Sequence, residues 1–103
     1  MAQPFWVYML RCADGSHYTG HTDNLDLRIA KHQSGEIEGY TLSRRPVELV
    51  FARECASRHA ALTAERQIKG WSRRKKEAMM RGDWKEVGRL ARGKDMLKRK
   101  GSA

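Results

Sequence analysis

A chain of 103 residues, 40% hydrophobic and 32% charged, has the length of one folded domain and a composition that excludes a wholly disordered protein. Its formal charge of +9 calls for a polyanionic partner, either nucleic acid or an anionic membrane surface. The longest apolar runs fall far short of a bilayer span, and the N-terminus lacks the basic start and apolar segment of a signal peptide, so the expected location is cytoplasmic.

FWVYMLRC, residues 5–12, is rich in aromatic and branched side chains and reads as a strand. The Asp14-Gly15 pair suits a tight hairpin, and HYTGH, residues 17–21, reads as a short second strand. Antiparallel pairing would set Tyr8 and Tyr18 on neighbouring strands, with their shared face dependent on a register that remains open. From Asp23 the period changes. Asp23 is expected to cap a helix with Asp26 at its third position, and Leu25, Arg28, Ile29 and His32 then recur at intervals of three and four. Arg28 and His32 therefore share one helical face, and Gly35 is the expected stop. Residues 36–46 read as an irregular connection. VELVFAREC, residues 47–55, reads as a third strand with both faces partly covered. Ser57 is placed to cap a helix through Lys69, a third helix is expected over residues 73–81, and DWKE at 83–86 is a capping-box pattern opening a fourth. The order β-β-α-β-α-α-α implies an α+β fold: a three-stranded antiparallel sheet flanked by helices. A single domain over residues 1–91 and a basic, frayed tail over 92–103 are expected.

Charge is unevenly placed. Residues 1–65 hold 7 Lys or Arg against 8 Asp or Glu, whereas residues 66–103 hold 14 against 4. Lys69, Arg73, Arg74, Lys75 and Lys76 are the candidate nucleic-acid contacts, interleaved with Trp71 and Trp84. Those indoles either stack on bases or, as is commoner in small domains, fill the core. Glycines at 70, 82, 88 and 93 interrupt any long membrane-surface helix, so no stable membrane association is expected. Cys12 and Cys55 are expected to be buried free thiols, and no zinc set is visible.

A strand tyrosine such as Tyr8 or Tyr18 most often belongs to a core or its border. Two of them, approached by Arg28 and His32 from the next helix, form a constellation suited to an anion. Gly20 either lets the strand turn or lets backbone or substrate come close. His32 suits a structural hydrogen bond, a helix-end cap or proton transfer. Glu65, the only acidic residue between Ser57 and Gly70, is either a surface carboxylate or a lone oxygen ligand for magnesium, which one carboxylate and a phosphate can hold.

VYML at 7–10, YTG at 18–20, DLRIAKH at 26–32 and the glutamate of ALTAERQIKG at 61–70 resemble, in that order, the GIY-YIG nuclease superfamily and particularly its small stand-alone bacterial members. The resemblance covers about residues 4–80 and implies cleavage of DNA phosphodiesters with one divalent ion, magnesium or, in its place, manganese. It also implies that Tyr8 is the tyrosine of the first tripeptide, Tyr18 and Gly20 belong to the second, Arg28 is the helix arginine, and Glu65 is the metal-binding glutamate. His32 stands where many members have histidine, and Lys69 where a basic residue often follows the glutamate by one turn. Here the first tripeptide reads Val7-Tyr8-Met9, Thr19 replaces isoleucine, and the late asparagine of many longer members has no counterpart after Asn24. The expected function is a metal-dependent endonuclease acting on DNA, with RNA left open, at branched, flapped or damaged structures. Tyr8 would accept the water's proton, with His32 or a metal-activated water as the rival base; Arg28 would neutralise the phosphate. The alternative is a weakly active or inactive GIY-YIG domain that binds nucleic acid or acts as an adaptor for a protein partner.

Overall fold

The computed structural model describes residues 4–91, so the expected tail over 92–103 lies outside the described residues. The element order is the expected one. β1 (Phe5–Arg11), β2 (His17–Thr22) and β3 (Glu48–Cys55) form an antiparallel sheet in the order β2-β1-β3. The β1–β2 turn is closed by the Cys12 N–H donating to Ser16 O at 2.8 Å, with Gly15 at φ 84°. Register pairs Tyr8 with Gly20 and Leu10 with Tyr18. By the pleat, these four residues share one face, and Val7, Met9, Thr19 and His21 share the other. β1 is central, and Val7 to Leu10 are fully buried, as a strand covered on both faces requires.

β3 starts one residue later than expected and is an edge strand in which no residue is buried. A bulge between the partners of Met9 and Leu10 interrupts its ladder, a device common on exposed edges. Its cover is therefore sparser than its alternation of apolar residues implies.

α1 (Leu25–Ser34) is capped by Asn24, not Asp23. Asn24 has extended backbone angles, its Oδ1 accepts the Leu27 N–H at 3.2 Å, and its own N–H donates to Thr22 Oγ1 at 3.1 Å. This ties the end of β2 to the start of the helix and leaves Asp23 exposed one position outside it. Leu25 and Ile29 pack against Tyr8, Leu10, Cys12 and Val47. Gly35 ends the helix at φ 81°, the left-handed cap expected of it. The Gln33 amide then clamps Val47: its Nε2 donates to Val47 O, and its Oε1 accepts the Val47 N–H at 3.0 Å.

The connection between α1 and β3 carries a short 3₁₀ turn over Leu42–Arg44 and a cis Arg45–Pro46 peptide. It is pinned to the β1–β2 turn, because Ala13 N–H donates to Arg44 O at 2.9 Å and Arg44 Nε donates to Asp14 Oδ2 at 3.1 Å. α2 (Arg58–Lys69) is capped as expected by Ser57, whose Oγ accepts the Ala60 N–H at 3.1 Å. It packs on all three strands, with Ala61, Glu65 and Ile68 buried. Cys12 is buried and Cys55 only half-buried; both are free thiols.

The chain divides into two compact units, the second beginning at Gly70. In it, α3 (Arg73–Met80) is capped by Ser72, whose Oγ accepts the Lys75 N–H at 3.2 Å. A fourth helix, α4, runs over residues 84–91, with Asp83 Oδ1 accepting the Glu86 N–H at 3.1 Å. Only this half of the expected capping box forms, because the Glu86 carboxylate pairs with Arg89. No helix among the described residues is long and apolar enough to cross a membrane.

Candidate functional site

The centre of the candidate site is a buried chain of hydrogen bonds. Tyr8 Oη lies 2.8 Å from His32 Nε2, and His32 Nδ1 lies 2.8 Å from Thr41 Oγ1. Burial pushes the Tyr8 phenol up to about 12, against the opposing pull of Arg28. Burial first, and the Arg28 charge second, hold His32 below its ordinary value. At neutral pH the phenol therefore keeps its proton and the imidazole is uncharged. When the phenol donates to Nε2, the Nδ1–H donates to Thr41; because the Thr41 hydroxyl can also donate, the opposite tautomer is equally accommodated. Thr41 comes from the segment read as an irregular connection, and no periodic signal marked it. Helical spacing did mark His32.

Arg28 approaches from the same face of α1. Its pKa lies above its ordinary value, chiefly through the Tyr8 hydroxyl, with Tyr18 adding to the effect. Its buried Nε has no hydrogen-bond partner. Buried donors are rarely left so, and a guanidinium with an unused N–H beside two tyrosines suits an anion with several acceptor oxygens. Tyr18 completes the group, its ring centroid 6.3 Å from that of Tyr8 and 5.2 Å from that of His32. Gly20 lies directly across from Tyr8, where an added Cβ would sit 2.6 Å from Tyr8 Oη and 2.8 Å from Cζ. Glycine is required there for space. Of its two sequence readings, close approach describes the site, and the approaching group is Tyr8.

Glu65 is buried at 9% exposure, and both its oxygens are engaged. His21 Nδ1 lies 2.9 Å from Oε1, and Lys69 Nζ donates to Oε2 at 3.2 Å. Lys69 also lies 5.9 Å from the Tyr18 ring centroid, joining this carboxylate to the tyrosine group. The Glu65 charge reaches Tyr8 as well, where it helps raise the phenol's pKa. His21 went unnoticed in the sequence because its partner is 44 residues away. No group of three or more His, Cys, Asp or Glu side chains gathers as a metal set among the described residues. A hard carboxylate oxygen still fits one hydrated divalent ion shared with a phosphate, provided Lys69, half of whose side chain is exposed, turns away from Oε2.

The expected nucleic-acid contacts divide by environment. Arg73 is exposed and paired with Glu77 at 2.9 Å, Arg74 is exposed, and Lys76 is half-buried. Lys75 is buried, with its ammonium 4.1 Å from the Trp71 ring centroid, so its charge is directed at an indole within its own unit. Trp71 is partly buried, while Trp84 is 50% exposed, against the expectation of a core residue. An open groove lined by Arg53, Cys55, His59, Thr63 and Gln67 includes none of the six expected catalytic residues.

Comparison with known proteins matches the family described as the GIY-YIG catalytic domain to residues 4–78. A UPF0213 protein of Natronomonas pharaonis is 46% identical over 80 residues, covering 78% of this chain and 94% of its own length. A UPF0213 protein of Bacillus pumilus is 43% identical over 72 residues, or 70% and 74% of the two chains. Among solved structures, the solution NMR structure of a protein from E. faecalis is similar with a TM-score of 0.55 at 32% identity, covering 79% of this chain and 86% of that one.

Proposed function

Because this chain belongs to the GIY-YIG family, we propose that it is a nucleic-acid-binding domain that seats a backbone phosphate on Arg28 beside Tyr18, over the buried Tyr8–His32 pair, and that it cleaves weakly or not at all on its own. The observation that carries this reading is the buried, unpartnered Nε of Arg28. A phosphate oxygen would satisfy it once the half-buried guanidinium turns outward, and the formal charge of +9 would draw the strand in. Weak cleavage follows from two features of the site. Tyr8 holds its proton up to about 12, so phenolate is scarce at neutral pH, and Glu65 is already engaged by Lys69 and His21. Fluorescence anisotropy with labelled DNA and RNA at several salt concentrations tests the reading. Arg28→Met should lose one charge-assisted contact, about 1.5–3 kcal/mol or roughly 10- to 100-fold in affinity. Unchanged affinity in that variant would remove the phosphate seat.

A second reading, metal-dependent phosphodiester hydrolysis, is favoured by the 2.8 Å contact between Tyr8 and His32. In it, Glu65 would hold a divalent ion, which supplies Lewis-acid stabilisation of charge on the phosphate. Tyr8 would take the water's proton as its own passes to His32 Nε2, and Arg28 would neutralise the crowded phosphate. Cutting of a duplex, single-stranded, flap and branched DNA panel with Mg2+ or Mn2+, abolished by EDTA and by Glu65→Gln, would establish this reading. No cutting by the folded protein would leave the binding domain.

A further inference from the structure

We propose a nucleobase-stacking subsite beside the phosphate seat, formed by Tyr40 and Arg44, that takes an unpaired nucleotide; it rests on the nucleic-acid reading above and narrows the class of strand. Tyr40 is 40% exposed, and its ring runs nearly parallel to that of Tyr18, at 23° with centroids 6.2 Å apart. Tyr18 in turn meets His32 at 5.2 Å. The aromatic series Tyr40, Tyr18, His32 thus leads from the surface into the buried cluster. Tyr18 flanks the Tyr40 ring at 6.2 Å, and the exposed part of Tyr40 is what a third ring can reach. The Arg44 guanidinium lies over the Tyr40 ring, 3.9 Å from its centroid, so the ring backs a partly exposed guanidinium plane of the kind on which bases stack.

The shelf is held in place before a ligand arrives. Arg44 donates from Nε to Asp14 Oδ2 at 3.1 Å and from Nη1 to Tyr40 O at 2.7 Å, and its carbonyl accepts the Ala13 N–H at 2.9 Å. Thr41, the next residue after Tyr40, is buried against His32. An exposed ring whose own carbonyl and following residues are held in this way loses little further freedom when a base stacks on it. In a duplex the bases already stack on one another, so the shelf takes a base only from a single strand, a frayed end or a flap. Stacking makes little distinction among bases, so the preference is for a base over no base.

Anisotropy with oligothymidylate and with an abasic phosphodiester strand of equal length and charge separates this proposal from the reading beneath it. The wild type should bind oligothymidylate about 5- to 100-fold more tightly. Tyr40→Leu, checked for folding by thermal denaturation, should bring the ratio of the two affinities towards one, and Tyr40→Trp should keep it. Should Tyr40→Leu fail to fold, 2-aminopurine in the strand should be quenched on binding the wild type, and an unquenched bound probe would overturn the shelf. Equal affinity of the wild type for both strands, or the full preference retained in Tyr40→Leu, would overturn the shelf and leave the phosphate seat standing. No binding of either strand by the wild type would overturn the nucleic-acid reading, and the shelf with it.

Discussion

Replacing Gly20 by alanine tests whether space keeps that position small. The new Cβ would lie 2.6 Å from Tyr8 Oη, 2.8 Å from Tyr8 Cζ and 3.1 Å from Tyr18 Cε2. Tyr8 is fully buried and its hydroxyl is fixed on His32 at 2.8 Å, so the ring must retreat by roughly 0.5–1 Å to restore ordinary contact, at the expense of that hydrogen bond. Overpacking of this kind costs about 1–3 kcal/mol. For a domain of this size, each kcal/mol shifts Tm by about 4–8 °C, so a fall of about 4–24 °C is expected. The assay is thermal unfolding, followed by circular dichroism, of the wild type, Gly20→Ala, Tyr8→Leu and the double variant. Tyr8→Leu removes both atoms closest to the new methyl and opens room for it. In that background Gly20→Ala should cost less than about 0.5 kcal/mol, a coupling of about 0.5 kcal/mol or more. An undiminished penalty in the Tyr8→Leu background, or an unmoved Tm in Gly20→Ala alone, would refute the steric argument.

Thr41→Val keeps the shape of the side chain but removes the hydroxyl facing His32 Nδ1, and should cost about 1–3 kcal/mol in denaturant unfolding; Thr41→Ser should recover part of that loss if the hydroxyl is what matters. Because His32 is held below its ordinary 6.5, the unfolded chain takes up this proton first. Its contribution to stability is present above about pH 6.5 and is lost as the pH falls, so His32→Gln should flatten the acid limb of a Tm-against-pH curve. Tyr8 has the opposite sign: the folded phenol keeps its proton from 10.0 up to about 12 while the unfolded one releases it, so stability falls as the pH rises through that window. Alkaline spectrophotometric titration should find one tyrosine ionising near 12 that disappears in Tyr8→Phe. Lys69→Met should change stability by less than about 0.5 kcal/mol, because the pair is half-exposed on the lysine side. The same change should tighten Mn2+ binding, measured by calorimetry, by roughly fivefold through loss of a competing cation. No tightening would show that Lys69 does not compete at Glu65.

The sequence by itself determined the order of elements, because strand alternation, helical spacing and capping residues act over a few neighbours. FWVYMLR became β1, the spacing of Leu25, Ile29 and His32 became one face of α1, and Ser57 became a cap. Tyr8, Tyr18, Gly20, Arg28 and Glu65 were legible through their ordered resemblance to a family. Tertiary structure alone decided how they meet. Hairpin register set Tyr8 opposite Gly20, and a one-residue slip would have turned the tyrosines to opposite faces. Loop closure brought Thr41 to His32 and Tyr40 to Tyr18, and sheet–helix packing brought His21 to Glu65 across 44 residues. The cap at Asn24 and the burial of Lys75 beneath an indole were likewise decided by neighbours in space. Local signals encode backbone preference and the side of an element, whereas partners, burial and charge arise only when the elements pack.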